Sequence, residues 1–157
     1  MINRAQLAQH PIHPMLVPFP IGLWVFSLAS DVAFRLGAGP VWDEIAFWTM
    51  VGGVFGALAA AVPGLIDFLT VKDPRTWRIA VAHMVLNLTI VLLFVVNIGL
   101  RMRGAPGDAL PLALSVVGVG LLLISGWLGG TLVYERAVAV APEPDVMITT
   151  RDRGRAA

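Results

Sequence analysis

The chain contains no cysteine. That absence removes disulfides, thiolate-held iron–sulfur clusters and covalent c-type haem attachment. Charge is scarce as well: 13% of residues are Asp, Glu, Lys or Arg, against about a quarter in a soluble domain. The net charge of +1 offers no basic footprint for nucleic acid, so no nucleic-acid partner is expected. Catalytic signatures are missing too, with no G-x-S-x-G elbow, no P-loop and no dinucleotide glycine pattern followed by an acid. An enzyme is the least supported class. Nor is there any ten-residue alternation of apolar and polar residues that would suggest a transmembrane β-barrel.

What the sequence does have is apolar length, with 57% of its 157 residues hydrophobic. Four runs, residues 18–36, 45–69, 79–100 and 112–133, each approach the ~20 residues a helix needs to cross the hydrocarbon core. The first is too long, too proline-flanked and too poor in a cleavage site to read as a signal peptide, so it counts as a span. The expected fold is all-α, an integral membrane four-helix bundle in three parts. An N-terminal segment covers residues 1–14, the transmembrane domain 15–136, and a loosely held tail 137–157. Short connections make consecutive helices antiparallel neighbours.

Lysine and arginine predict the orientation. One side holds Arg4, Lys72, Arg75, Arg78, Arg136, Arg151, Arg153 and Arg155; the other holds Arg35, Arg101 and Arg103. Eight against three places both termini in the cytoplasm of a multi-pass inner-membrane protein. Trp42, Trp48 and Trp77 fall near the expected interfaces. The tail "TTRDRGR" reads as a solvated end rather than a lipid-binding patch. Small-xxx-small spacings at Gly52/Gly56, Ser125/Gly129 and Gly126/Gly130 predict close helix packing. Pro63 predicts a bend near the inner end of the second span.

Polar residues inside spans are the functional pointers, because lipid makes them costly. His83 and Asn87 are four apart and share a helix face. Counted from Trp77, His83 lies about 9 Å along its helix, below the cytoplasmic surface. Asp67 ends the second span on that side, and Glu135 the fourth. The stretch "QHPIHPMLVPFPIGLW" brings His10 and His13 to the same end. Proline after each histidine favours extended geometry there, with the helix delayed to about Val17. In polyproline II geometry those two imidazoles stand about 9 Å apart, so one ion would not reach both without a sharp turn.

This gathering predicts a metal site drawn from His10, His13, His83, Asp67 and Glu135, or a haem site. Neutral imidazole suits transition metals and haem iron, and a carboxylate can ligate or orient a histidine. For a b-type haem the expected contacts are His13, His83, His10, Asn87 and Trp127, with glycine-rich faces giving the macrocycle room. The simpler reading is that His83 hydrogen-bonds Asp67 or a main-chain carbonyl while the HPIHP histidines cap a helix. At the other end, Asp31 and Arg35 read as an i,i+4 salt bridge and Asn97 as an interhelical hydrogen bond.

The same residues carry a family resemblance. "HPIHPMLVPFPIGLW", "PGLIDFL", "AVAHMVLN" and "GWLGGTLVYE" resemble the bacterial membrane family catalogued as domain of unknown function 2231, over about residues 8–136. The resemblance implies a four-helix module, in a family sometimes joined to Rieske-type or cytochrome c-type domains, and hence a redox setting. The motif positions it marks are His10, His13, Asp67, His83, Asn87 and Glu135, and it assigns them no catalytic role.

Three functions therefore stand open. The first is a haem- or metal-binding redox subunit in the bilayer, exchanging electrons with a redox protein or quinone. The second is a proton- or cation-conducting subunit, for which a homo-oligomer is expected because four helices rarely enclose a wide pore. The third is a membrane anchor for a redox partner.

Overall fold

The computed structural model describes residues 6–7 and 10–138, with side chains from residue 12 onward. The expected C-terminal tail from residue 139 lies outside the described residues. Four candidate spans are present: Ile12–Arg35, Val41–Leu69, Pro74–Arg101 and Ala109–Glu135, of 24, 29, 28 and 27 residues. At about 1.5 Å per residue each exceeds the ~30 Å of a hydrocarbon core. Between 17% and 28% of each apolar window is buried inside the chain, so most span side chains face outward, where lipid is their solvent.

The elements are β1 (Gln6–Leu7), β2 (His10–Pro11), α1 (Ile12–Leu16), α2 (Pro18–Arg35), α3 (Val41–Leu69), α4 (Pro74–Arg101) and α5 (Ala109–Gly130). A π-helical turn, Thr131–Glu135, ends the last span. Each long helix packs on its sequence neighbours, and α2 closes on α5. Four passes put α1, the loop at residues 70–73 and the π-helical turn at one end of the bundle, here the terminal end. The loops at 36–40 and 102–108 form the distal end.

Local chemistry sets the helix starts. Asp73 is extended at the N-cap of α4, and its carboxylate accepts from Thr76 N (2.8 Å) and Oγ1 (2.7 Å). Pro74 follows at the first helical position, where a missing N–H costs nothing. Asp43 and Glu44 sit in the first turn of α3 and complement its dipole.

The proline-rich entry differs in part from expectation. His10–Pro11 is extended, pairing antiparallel with Gln6–Leu7. Helix, however, begins at Ile12 rather than near Val17, so His13 is helical although a proline follows it. Val17 N donates to His13 O at 3.1 Å and carries the chain into α2, where Pro18 and Pro20 occupy the first turn. Tertiary docking of the His13 ring, described below, overrides the local preference of a residue before proline.

The core is mid-bundle. Trp24 stacks on Phe94, centroids 4.4 Å apart and planes 9° from parallel, among Met50, Ile90 and Leu122. Glycines make this layer possible: a Cβ on Gly53 would collide with the Trp24 indole, and one on Gly118 with Phe94. Gly52 and Gly56 meet Leu23 and Pro20 of α2, and Gly129 meets His83. Gly126 meets nothing, so only the Ser125/Gly129 spacing of α5 is an interhelical contact.

Candidate functional site

His13 projects from α1 onto α3. Its Nδ1 lies 2.8 Å from the carbonyl oxygen of Ala60. A carbonyl only accepts, so Nδ1 must carry the proton and Nε2 the lone pair. The ring can lie this close because residue 64 is glycine; a Cβ there would come within 2.8 Å of Cε1 and Nδ1. The Ala60 carbonyl neighbours the one that Pro63 deprives of its helical donor. Among the described residues His13 Nε2 has no hydrogen-bond partner.

His83 is held in the same way from the opposite pair of helices. Its Nδ1 lies 3.1 Å from Ser125 O and 3.2 Å from Ser125 Oγ on α5. Asn87, one turn along α4, donates to His83 O at 2.8 Å and reaches His83 Nε2 at 3.1 Å. An amide donor at Nε2 and a carbonyl at Nδ1 agree on one tautomer, with the proton on Nδ1. The His83 ring covers Gly129, whose ideal Cβ would sit 3.1 Å from Cε1. The glycine faces expected to give a macrocycle room are thus filled at Gly64 and Gly129 by imidazole. His13 and His83 lie within electrostatic range of each other.

The other expected members are placed differently. Asp67 is at this end and 3% exposed, its main-chain carbonyl accepting from Thr70 N and Oγ1. Glu135 is exposed at the end of the π-helical turn, which adds a residue to the helical circuit and buries Leu132 instead. Trp127 is 78% exposed and faces away from the bundle. The main chain of His10 belongs to β2, and its side chain lies outside the described residues. Among the described residues no three of His, Asp and Glu gather at metal-binding spacing.

The distal end, where the sequence suggested only an Asp31–Arg35 pair and an Asn97 hydrogen bond, holds the denser network. Asp31 pairs with Arg101 of α4 at 2.6 Å, the two side chains 6% and 10% exposed, and not with Arg35. Arg35 instead donates to Gly107 O at 2.6 Å, where the φ of +79° suits glycine. An i,i+4 partner was available, but pairing across the bundle satisfies a carboxylate buried between the helices, which an exposed arginine would leave unpaired. Arg101 Nε donates to Asn97 Oδ1 (3.1 Å), and Asn97 Nδ2 donates to Pro111 O (2.8 Å) and Ser115 Oγ (3.0 Å) on α5. The interhelical role expected of Asn97 is therefore observed. Asp43 of α3 stands 3.8 Å from Arg101 Nη1, beside a cavity of about 90 Å³ lined by Asp31, Arg35, Asp43, Arg101 and the 104–108 loop. The readable signal was the four-residue spacing of Asn97 and Arg101.

An integral membrane bundle with a histidine pair at one end and a charge network at the other is the frame for comparison with known proteins. No curated protein and no solved structure matches the chain. The family model described as a predicted membrane protein, DUF2231, matches residues 9–142, and the chain belongs to that family.

Proposed function

We propose that the terminal end of the bundle is a redox site in which His13 and His83 offer Nε2 to a haem iron or a transition-metal ion. The observation that supports this most directly is the shared tautomer. Each imidazole donates Nδ1–H to a main-chain carbonyl, of Ala60 and of Ser125. A second-sphere carbonyl of this kind orients metal-binding histidines and raises the basicity of the other nitrogen. Such a centre supplies one-electron transfer when bound.

The chain's own part is positional. Among the described residues nothing hydrogen-bonds the His13 lone pair, and Gly64 and Gly129 let both rings lie close to the helices. The Asn87 amide guards His83 Nε2 and must turn aside for that nitrogen to act. The Lys/Arg distribution favours placing this end in the cytoplasm of an inner-membrane protein, with a quinone or redox protein as electron partner.

A second reading, proton or cation handling, draws on Asp67, an ionisable group 3% exposed within a span at the same end.

The test is a dithionite-reduced minus oxidised visible spectrum of the protein purified in mild detergent from haem-supplemented cells. Sharp reduced bands are expected, lost in His83→Ala and weakened in His13→Ala. A flat spectrum, with no bound transition metal by elemental analysis, overturns the redox reading. Proton flux in liposomes, abolished by Asp67→Asn, would then support the second.

A further inference from the structure

Four cations ring the terminal end: Lys72 before α4, Arg75 and Arg78 in its first turns, and Arg136 after the π-helical turn. All four are exposed, and among the described residues none forms an ion pair. The π-helical turn packs on α4, so Arg136 at the end of the last span and Arg75 at the start of α4 both lie near enough to the Asp73 carboxylate to favour its charge. Asp73 itself is taken up by Thr76 N and Oγ1. The distal end differs, because there Arg101 is ion-paired and Arg35 is bonded to a carbonyl.

Helix stability does not explain Lys72, Arg75 and Arg78, since the dipole at the start of a helix disfavours cations; Arg136 caps the end of the last span, where a cation is favoured. Trp77 and Tyr134 are exposed beside them, and amphipathic rings of this kind sit at the headgroup level of a bilayer. We infer that this basic rim binds the phosphate of an anionic phospholipid headgroup, with Arg75 and Arg136 as its principal contacts. A lipid headgroup is favoured over a dissolved anion because the cations stand at span ends, where headgroups are concentrated. The rim is separate from the histidine site, and binding there does not depend on a cofactor.

The experiment is spin-label lipid association in reconstituted phosphatidylcholine bilayers, comparing spin-labelled phosphatidylglycerol with phosphatidylcholine. The wild type is expected to hold phosphatidylglycerol preferentially, with the preference falling as salt rises. Each cation removed should weaken it about fivefold, so that the Arg75→Gln/Arg136→Gln double variant loses most of it. Arg103→Gln, an exposed distal control, should leave it unchanged. Equal association of both lipids with the wild type overturns the inference, as does an equal loss in Arg103→Gln. Loss of the preference on adding inorganic phosphate at constant ionic strength also overturns it, assigning the rim to a dissolved anion.

Discussion

The two ends of the bundle handle buried polarity in opposite ways. At the distal end, charge meets charge: Arg101 reaches Asp31 and Asn97, and Asn97 ties α4 to α5. At the terminal end, imidazoles meet main-chain carbonyls; among the described residues the second nitrogen of His13 has no partner, while that of His83 accepts from the Asn87 amide. The difference teaches how to tell adhesive from chemistry inside a membrane protein. Side chains that satisfy one another hold helices together, whereas a side chain fixed through one atom and presenting another is available for work.

The largest expected effect tests the adhesive side. Arg101→Ala strands Asp31, 5% exposed, and removal of one partner from a buried pair costs about 3–5 kcal/mol. His13→Ala removes a part-buried hydrogen bond and should cost about 1 kcal/mol. Unfolding in mixed micelles, followed by circular dichroism, measures both. Comparable losses would erase the distinction between the ends. Asp31→Leu combined with Arg101→Met should recover much of the loss, because an apolar replacement removes both desolvated charges together.

An intermediate effect probes the layer between the ends. The Trp24 indole donates Nε1–H to Met50 O at 3.2 Å and is stacked on Phe94, so it cannot retreat from a methyl group added at Gly53. Overpacking of this kind costs about 1–3 kcal/mol. Gly126→Ala adds its methyl where nothing lies within 4 Å and should be neutral or slightly stabilising. The same unfolding assay decides, and a Gly126→Ala loss as large as that of Gly53→Ala would show that the α5 outer face is covered by something outside this chain.

Much of the architecture is legible in the amino-acid sequence. Span number, helical class and the placement of His13 and His83 at the same end of the bundle follow from apolar run length and helical spacing, which act locally. The Asp31 partner does not follow, because a four-residue spacing to Arg35 and a contact across the bundle to Arg101 look alike in one dimension. Burial decides between them, and burial is a property of the packed bundle. The helical start at Ile12 is hidden for a related reason: the proline rule describes His13 alone, while its ring's contact with Ala60 comes from α3. Glu135 drops out of the expected site because a π-helical turn shifts the facing of every residue after Gly130, and no spacing rule for a regular helix anticipates that.

The smallest effect separates exposed from buried charge at the terminal end itself. Hydrogen bonds from Thr76 N and Oγ1, helped by Arg136 and Arg75, hold the Asp73 carboxyl below its ordinary range. Its folded pKa thus lies below the unfolded value of about 3.9. The stabilisation is therefore fully present above that value and is lost as pH falls through the folded pKa. Asp73→Asn keeps a side-chain oxygen for the cap but does not titrate. The wild type should be slightly more stable than Asp73→Asn at pH 7, and the gap should begin to narrow below about pH 4 and close as pH falls through the folded pKa. Added salt should trim that gap only a little, because hydrogen bonds rather than the two arginines are its main source. A gap that does not narrow at all on acidification would mean that the Asp73 charge does not contribute. A gap that vanishes in salt would mean that the arginines, rather than the cap, govern this end of the molecule.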